Sequence, residues 1–356
     1  MTDRLHLPAL DGLRGLAVIL VLIHHAGSLE SYVSPLVSRA HWGSMGWFGV
    51  DIFFALSGFL ITRILIANRE RGVGLGQFYA RRAARLLPAA AACAILIGCV
   101  YSWAESAWAM SYVYNWRLPP AKSPAGHFWS LAVEEQWYVV WPLAVALLPS
   151  RWLRPATLML IVAMVTANVL TAAAIPLGWV TESTGRLWLA AATPTRGLPI
   201  AMGAMLAIGQ DRLVGQRSGL WLGLALLGGG WLLHGWAKPA MVGHAETALR
   251  NVVAALSATG LLAVVLSGQW SAMQAVFCDG WLRWVGRVSY GLYLYHYPIF
   301  WLTGADTASR PHHLVVPLAA TVAVAAASYY GFERPILDGS WRRLIAWRRT
   351  CAACPA

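Results

Sequence analysis

The sequence predicts an all-α, polytopic membrane helical bundle of about ten transmembrane helices, with both termini cytoplasmic. Three observations predict it. The chain is 58% hydrophobic and only 12% charged, about half the charged fraction of a soluble domain. Apolar runs of bilayer length recur along nearly all of the chain, each long enough to cross ~30 Å of hydrocarbon as a helix. The basic residues concentrate at alternate ends of those runs.

The runs cover residues 7–27, 45–66, 86–104, 129–149, 155–175, 193–210, 219–236, 249–268, 286–304 and 313–332. The first is too long for a cleavable signal and is interrupted by Asp11 and Arg14. Outer loops are expected at 28–44 and 105–128, and an inner loop at 67–85. The second outer loop, with Pro119, Pro120, Lys122, Ser123 and Pro124, reads as an irregular turn. The inner loop leads into Phe78-Tyr-Ala-Arg-Arg-Ala-Ala-Arg-Leu-Leu-Pro88, where Arg82 and Arg85 share a helix face at i and i+3. Residues 1–335 read as one membrane domain and 336–356 as a basic cytoplasmic tail.

Most of the 27 Lys and Arg lie at one set of ends, among them Arg63, Arg69, Arg81, Arg82, Arg85 and the Arg342–Arg349 group. A minority lies at the other: Arg39, Arg117, Lys122, Arg186, Arg196, Lys238, Arg250 and Arg310. The bias accounts for the net charge of +12 as a topology signal, so no nucleic-acid partner is expected. Trp42, Trp47, Trp103, Trp108, Trp116 and Trp129 would line the outer interface. Cys351 and Cys354 are spaced CxxC without two further ligands, so no metal is expected.

Arg14 is the one cation set well inside a run rather than within a turn of its end, and His25 follows eleven residues later. That is about three helical turns, which puts both on one face roughly 16 Å apart. An intramembrane charge costs ~2.5–3.5 kcal/mol even on lenient scales and marks function by default. Asp51 would lie roughly 9 Å below the outer surface, level with His25 and with Glu134 and Glu135. His296 sits nearer the middle, and Arg14, Arg82 and Arg85 belong to the inner half. An imidazole held by Asp51 or Glu134 can take a proton from a hydroxyl. Inward arginines suit phosphates, which they grip with paired hydrogen bonds. A donor with a phosphorylated head and a long reactive arm satisfies both ends, and acyl-CoA is such a molecule. A glycan or lipid transporter or flippase is the alternative that the same polar residues allow.

The motifs resemble the acyltransferase-3 family of integral membrane O-acyltransferases. They are Leu10-Asp-Gly-Leu-Arg-Gly-Leu-Ala with the Arg14 and His25 pair, Phe48-Gly-Val-Asp-Ile-Phe-Phe-Ala-Leu-Ser-Gly-Phe-Leu-Ile, and the Arg82-x-x-Arg85 segment. Phe128-Trp-Ser-Leu-Ala-Val-Glu-Glu-Gln-Trp-Tyr, Ser289-Tyr-Gly-Leu-Tyr-Leu-Tyr-His-Tyr-Pro and Glu333-Arg-Pro335 follow in family order. The resemblance implies transfer of an acyl group, commonly acetyl from acetyl-CoA, to a hydroxyl of a carbohydrate, glycolipid or glycoside at the bacterial inner membrane. It also implies essential roles for Arg14 and His25 and a functional Arg82–Arg85 pair. Ser130, Tyr290 and His296 are the candidates for contacting the substrate or the oxyanion. Some members carry a further hydrolase-like domain after the membrane region. The present sequence ends in its basic tail, so transfer is expected to be completed by the chain itself or by a separate protein.

Overall fold

In hydrocarbon every backbone N–H and C=O must be satisfied within its own segment, and the apolar runs accordingly form helices. The computed structural model describes residues 7–26, 45–117, 123–237, 243–305 and 311–337. Along the chain the helices are α1 (Pro8–His25), α2 (Met45–Glu70), α3 (Leu75–Val100), α4 (Trp103–Met110), α5 (Phe128–Leu147), α6 (Ser150–Ala174), α7 (Glu182–Ala191) and α8 (Thr193–Arg196). There follow α9 (Leu198–Ile208), α10 (Arg217–Ala237), α11 (His244–Ser267), α12 (Ser271–Phe277), α13 (Gly280–Arg287), α14 (Ser289–Thr303) and α15 (Val315–Ser328). A π-helical turn, Tyr329–Glu333, leads into α16 (Arg334–Leu337). Among the described residues six helices are long and apolar enough to cross a membrane: α1, α2, α3, α6, α11 and the α15–α16 unit. The protein is a polytopic helical membrane protein. Cys351, Cys354 and most of the basic tail lie outside the described residues.

Several expected boundaries move. The run at 193–210 is broken at Gly197, and α9 has only 11 residues, about 16 Å of helix and too short to span. Arg196, expected at an outer helix end, is instead buried at 3% exposure. The inner loop expected at 67–85 shrinks to 71–74, because α2 runs on to Glu70 and α3 starts at Leu75. Arginines are good helix formers whose long stems reach past the apolar zone, so flanking charge does not end a helix. Arg69 uses that reach to donate to Val145 O at 2.8 Å and Leu148 O at 2.7 Å, satisfying carbonyls at the end of α5.

Residues 103–117, after α3, are likewise not a surface loop. Helix α4 folds back along α3, with Ser106 Oγ donating to Ala94 O at 2.7 Å. Trp116 Nε1 then donates to Gln136 Oε1 at 3.2 Å, and Gln136 Nε2 to Tyr112 O and Asn115 Oδ1, both at 2.8 Å. Gln136 lies eight residues into α5, so the chain re-enters by about 12 Å. Trp116, expected at the outer interface, goes with it. The polar residues of this segment satisfy one another. Glu105 accepts from Tyr114 and Ser123 at 2.8 Å each and pairs with Arg117 at 2.7 Å. Burial by itself would raise the Glu105 carboxyl, but these three donors outweigh it and hold it below the usual carboxylate range.

Small residues let the central helices touch backbone to backbone. A Cβ on Gly58 would sit 1.9 Å from Ile200 O, and one on Gly203 would sit 2.0 Å from Ala55 O. The α2–α9 crossing is therefore closed from both sides by glycine. Helix α1 packs on α2, α13 and α14, which fixes the walls of the site.

Candidate active site

Helices α1, α2, α3, α5 and α14 enclose a cavity of about 350 Å³. Asp11, Arg14, Arg82, Arg85, Glu134, Glu135, Tyr138 and Tyr290 line it, together with an apolar wall from α2. On α2 the lining runs from Val50 to Ile64, about 21 Å of helix rise. The helix pattern explains the gathering: Arg82 and Arg85 on α3, and Glu134 and Tyr138 on α5, are neighbours on single faces.

The arginines are not equivalent. Arg82 Nη2 is held by Glu135 Oε1 at 2.9 Å, and its guanidinium stacks 3.0 Å from the centre of the Tyr138 ring. Among the described residues Arg14 and Arg85 make no ion pair. Arg85 faces the like charges of Arg14 and Arg82, with Glu333 as a weaker opposite charge. Guanidiniums left uncompensated beside an apolar wall attract anions strongly, because the low local dielectric magnifies the interaction. Glu134 accepts a hydrogen bond from Ser57, whose hydroxyl also meets that of Tyr138.

The far end of the cavity is closed by Ser130, Phe53, Phe54 and Tyr293. Ser130 Oγ donates to His127 O at 3.1 Å and touches the Tyr293 hydroxyl, which also donates to His127 O at 3.3 Å. Beyond Tyr293 lies a cluster of rings. His127 and His296 are 5.6 Å apart, His296 and His25 5.0 Å, and Tyr297 packs edge-on against His25 at 4.9 Å. His25 and His296 thus meet one another but stand outside the cavity, one side chain beyond its end. Tyr290, nearer the cation end, donates its hydroxyl to Leu86 O at 3.0 Å.

Neither carboxylate considered for holding His25 is among its hydrogen-bond partners. Its Nδ1 faces Val21 O at 3.1 Å and His296 Nε2 at 3.3 Å. Asp51 is instead paired with Arg196 at 2.9 Å, and Arg196 also donates to Asn251 Oδ1 at 2.7 Å. Trp47 and Trp129 cover that guanidinium at 5.2 and 5.6 Å. Asp51 and Arg196 are 0% and 3% exposed, so each needs the other's charge where it lies. Glu134 faces the arginine cavity, away from the histidines.

A family model described as an acyltransferase domain matches residues 7–331. The chain belongs to the acyltransferase-3 family. It is 30% identical over 370 residues to the peptidoglycan O-acetyltransferase OatA of Listeria monocytogenes, covering 94% of this chain and 56% of that protein. It is 28% identical over 367 residues to the O-acetyltransferase OatA of Staphylococcus aureus, covering 93% of this chain and 57% of that one. The chain spans a little over half the length of these relatives. No solved structure matches it.

Sequence reasoning passed over four groups in this acyltransferase. Tyr293 stands at i+3 from Tyr290 and i−3 from His296, a spacing that puts all three along one side of α14. Arg196, three residues from the start of its run, was counted among the charges at an outer helix end and so gave no separate signal. Ser57 and His127 gave none, since their neighbours come from helices distant in sequence.

Proposed function

We propose that this membrane acyltransferase moves an acetyl group, or another short acyl group, from its CoA thioester to a hydroxyl of a carbohydrate, glycolipid or glycoside. The relatives' action on peptidoglycan makes a cell-wall glycan the first acceptor to try. The reading places the helical bundle in the bacterial inner membrane, with both termini and the arginine end of the cavity on the cytoplasmic side. The observation that carries it is the pair Arg14 and Arg85, without an ion pair among the described residues, in a long cavity that ends one side chain short of a histidine cluster.

Arg14 and Arg85 hold the donor's phosphates, and Arg82 completes the cation end while tied to Glu135. Glu134 faces Arg82 and Arg14 and tempers the local positive charge. The arm extends past the apolar α2 wall and brings the thioester to Ser130. His25, half-buried among the rings, takes the proton of the acceptor hydroxyl, and that oxygen attacks the thioester carbonyl. Ser130, once its hydroxyl turns away from His127 O, donates to the resulting oxyanion. The intermediate collapses with cleavage of the C–S bond, and the departing thiolate receives the proton from His25. Tyr293 stands between the two ends, so its side chain shifts for thioester and hydroxyl to meet. The family match favours acyl transfer over transport of a glycan or lipid.

The test is transfer of labelled acetyl from acetyl-CoA to peptidoglycan fragments by the purified chain in lipid nanodiscs. His25→Ala is expected to abolish transfer, a loss of about 10²-fold or more, with the melting temperature unchanged. Undiminished transfer in that variant overturns the assignment.

A further inference from the structure

The hydrogen bonds around His25 and His296 admit one consistent proton arrangement, and it gives His296 a role of its own. His296 Nδ1 lies 2.7 Å from Tyr293 O and 3.2 Å from Leu292 O. A carbonyl oxygen only accepts, so that nitrogen carries the hydrogen. In a neutral ring Nε2 is then bare and accepts. The group it faces is His25 Nδ1 at 3.3 Å, which also lies 3.1 Å from Val21 O. With acceptors on both sides, His25 Nδ1 must be the donor, and the lone pair of His25 is left on Nε2.

Accessibility separates the two roles. His296 is 0% exposed and both its nitrogens are committed, so it cannot meet a substrate. His25 is half-buried, and its Nε2 has no hydrogen-bond partner among the described residues. Its other ring neighbours are His24 and Tyr297, at 4.8 and 4.9 Å.

We infer that His296 is the positioning residue of this site: its Nε2 accepts from His25 Nδ1–H, fixes the imidazole in the tautomer with Nε2 bare, and so aims the base at the acceptor hydroxyl. This rests on the acyl-transfer reading above. A neutral imidazole here does the orienting work that a carboxylate does in a Ser-His-Asp arrangement, without placing an uncompensated anion in the bilayer. It also removes His296 from the oxyanion candidates, because its one N–H is already spent on backbone carbonyls.

The experiment uses the full chain in nanodiscs with labelled acetyl-CoA and peptidoglycan fragments, and compares His296→Gln with His296→Phe. A glutamine Oε1 reaches about as far as Nε2 and can accept from His25, whereas phenylalanine keeps the ring shape and loses the acceptor. The expected result is a fall in kcat of about 10²-fold for phenylalanine, with donor KM unchanged and activity recovered to within about tenfold of wild type by glutamine. Wild-type kcat in His296→Phe overturns the inference, as does equal inactivity of both variants when their melting temperatures match wild type. Nitrogen-15 NMR of labelled histidine gives an activity-independent readout: His25 is expected with its hydrogen on Nδ1, and a hydrogen on Nε2 refutes the arrangement. His25→Ala in the same assay separates the failures. If it retains transfer the base assignment falls, and if only His296→Phe retains transfer the positioning role falls alone.

Discussion

The ring of Tyr293 lies 5.7 Å from that of His296, and the cavity ends on the Tyr293 side of that contact. The arginine-lined cavity and the histidine cluster are therefore neighbours separated by one phenol. Such a partition can keep water from a bound thioester until an acceptor arrives. Tyr293→Ala is expected to raise acceptor-free release of CoA several-fold, whereas Tyr293→Phe, which keeps the ring, leaves it near wild type. A thiol-release assay without acceptor checks this, and equal leakage in both variants counts against the partition.

Arg14 and Arg85 differ from Arg82 in having no ion-pair partner among the described residues. Removing either should weaken donor binding, because a charged hydrogen bond contributes ~1.5–3 kcal/mol, or about 10- to 150-fold. Arg14→Ala and Arg85→Ala are expected to raise donor KM within that range. Glu135→Gln, which frees Arg82 from its salt bridge, should leave donor KM unchanged or lower it. Steady-state kinetics over a range of acetyl-CoA concentrations decides.

The α2–α9 crossing depends on missing side chains. Valine at Gly203 would press a Cβ to within 2.0 Å of Ala55 O, so the helices must part. Overpacking of this kind costs ~1–3 kcal/mol. Gly203→Val should lower the melting temperature in detergent, while Gly209→Ala, with 3.8 Å to its nearest contact, should change it little.

The Glu105 knot gives a pH dependence whose sign is fixed. Its folded-state carboxyl titrates below the unfolded value. The stabilisation is therefore present above the ordinary carboxylate pKa of about 4.3 and is lost as pH falls through the folded value. Melting temperature should drop more steeply for wild type than for Glu105→Gln below about pH 4. Parallel curves would remove Glu105 as the source.

Hydropathy and charge bias by themselves determined that the chain is helical and membrane-embedded, because bilayer thickness and the cost of an unpaired backbone act on sequence directly. The Arg82-x-x-Arg85 spacing and the intramembrane Arg14 likewise marked the cation end, since helical periodicity puts such residues on one face. The partners were decided only by tertiary structure. Depth along a helix made Asp51, Glu134 and His25 look like neighbours, but depth says nothing about the direction in which a side chain points. Packing turned Asp51 toward Arg196 and Glu134 toward the arginine cavity, and brought His296, 271 residues away, to the ring of His25. The same applies to residues 103–117, most of which the sequence placed in an outer loop. Their polar groups satisfy one another and Gln136, so they can re-enter among the helices.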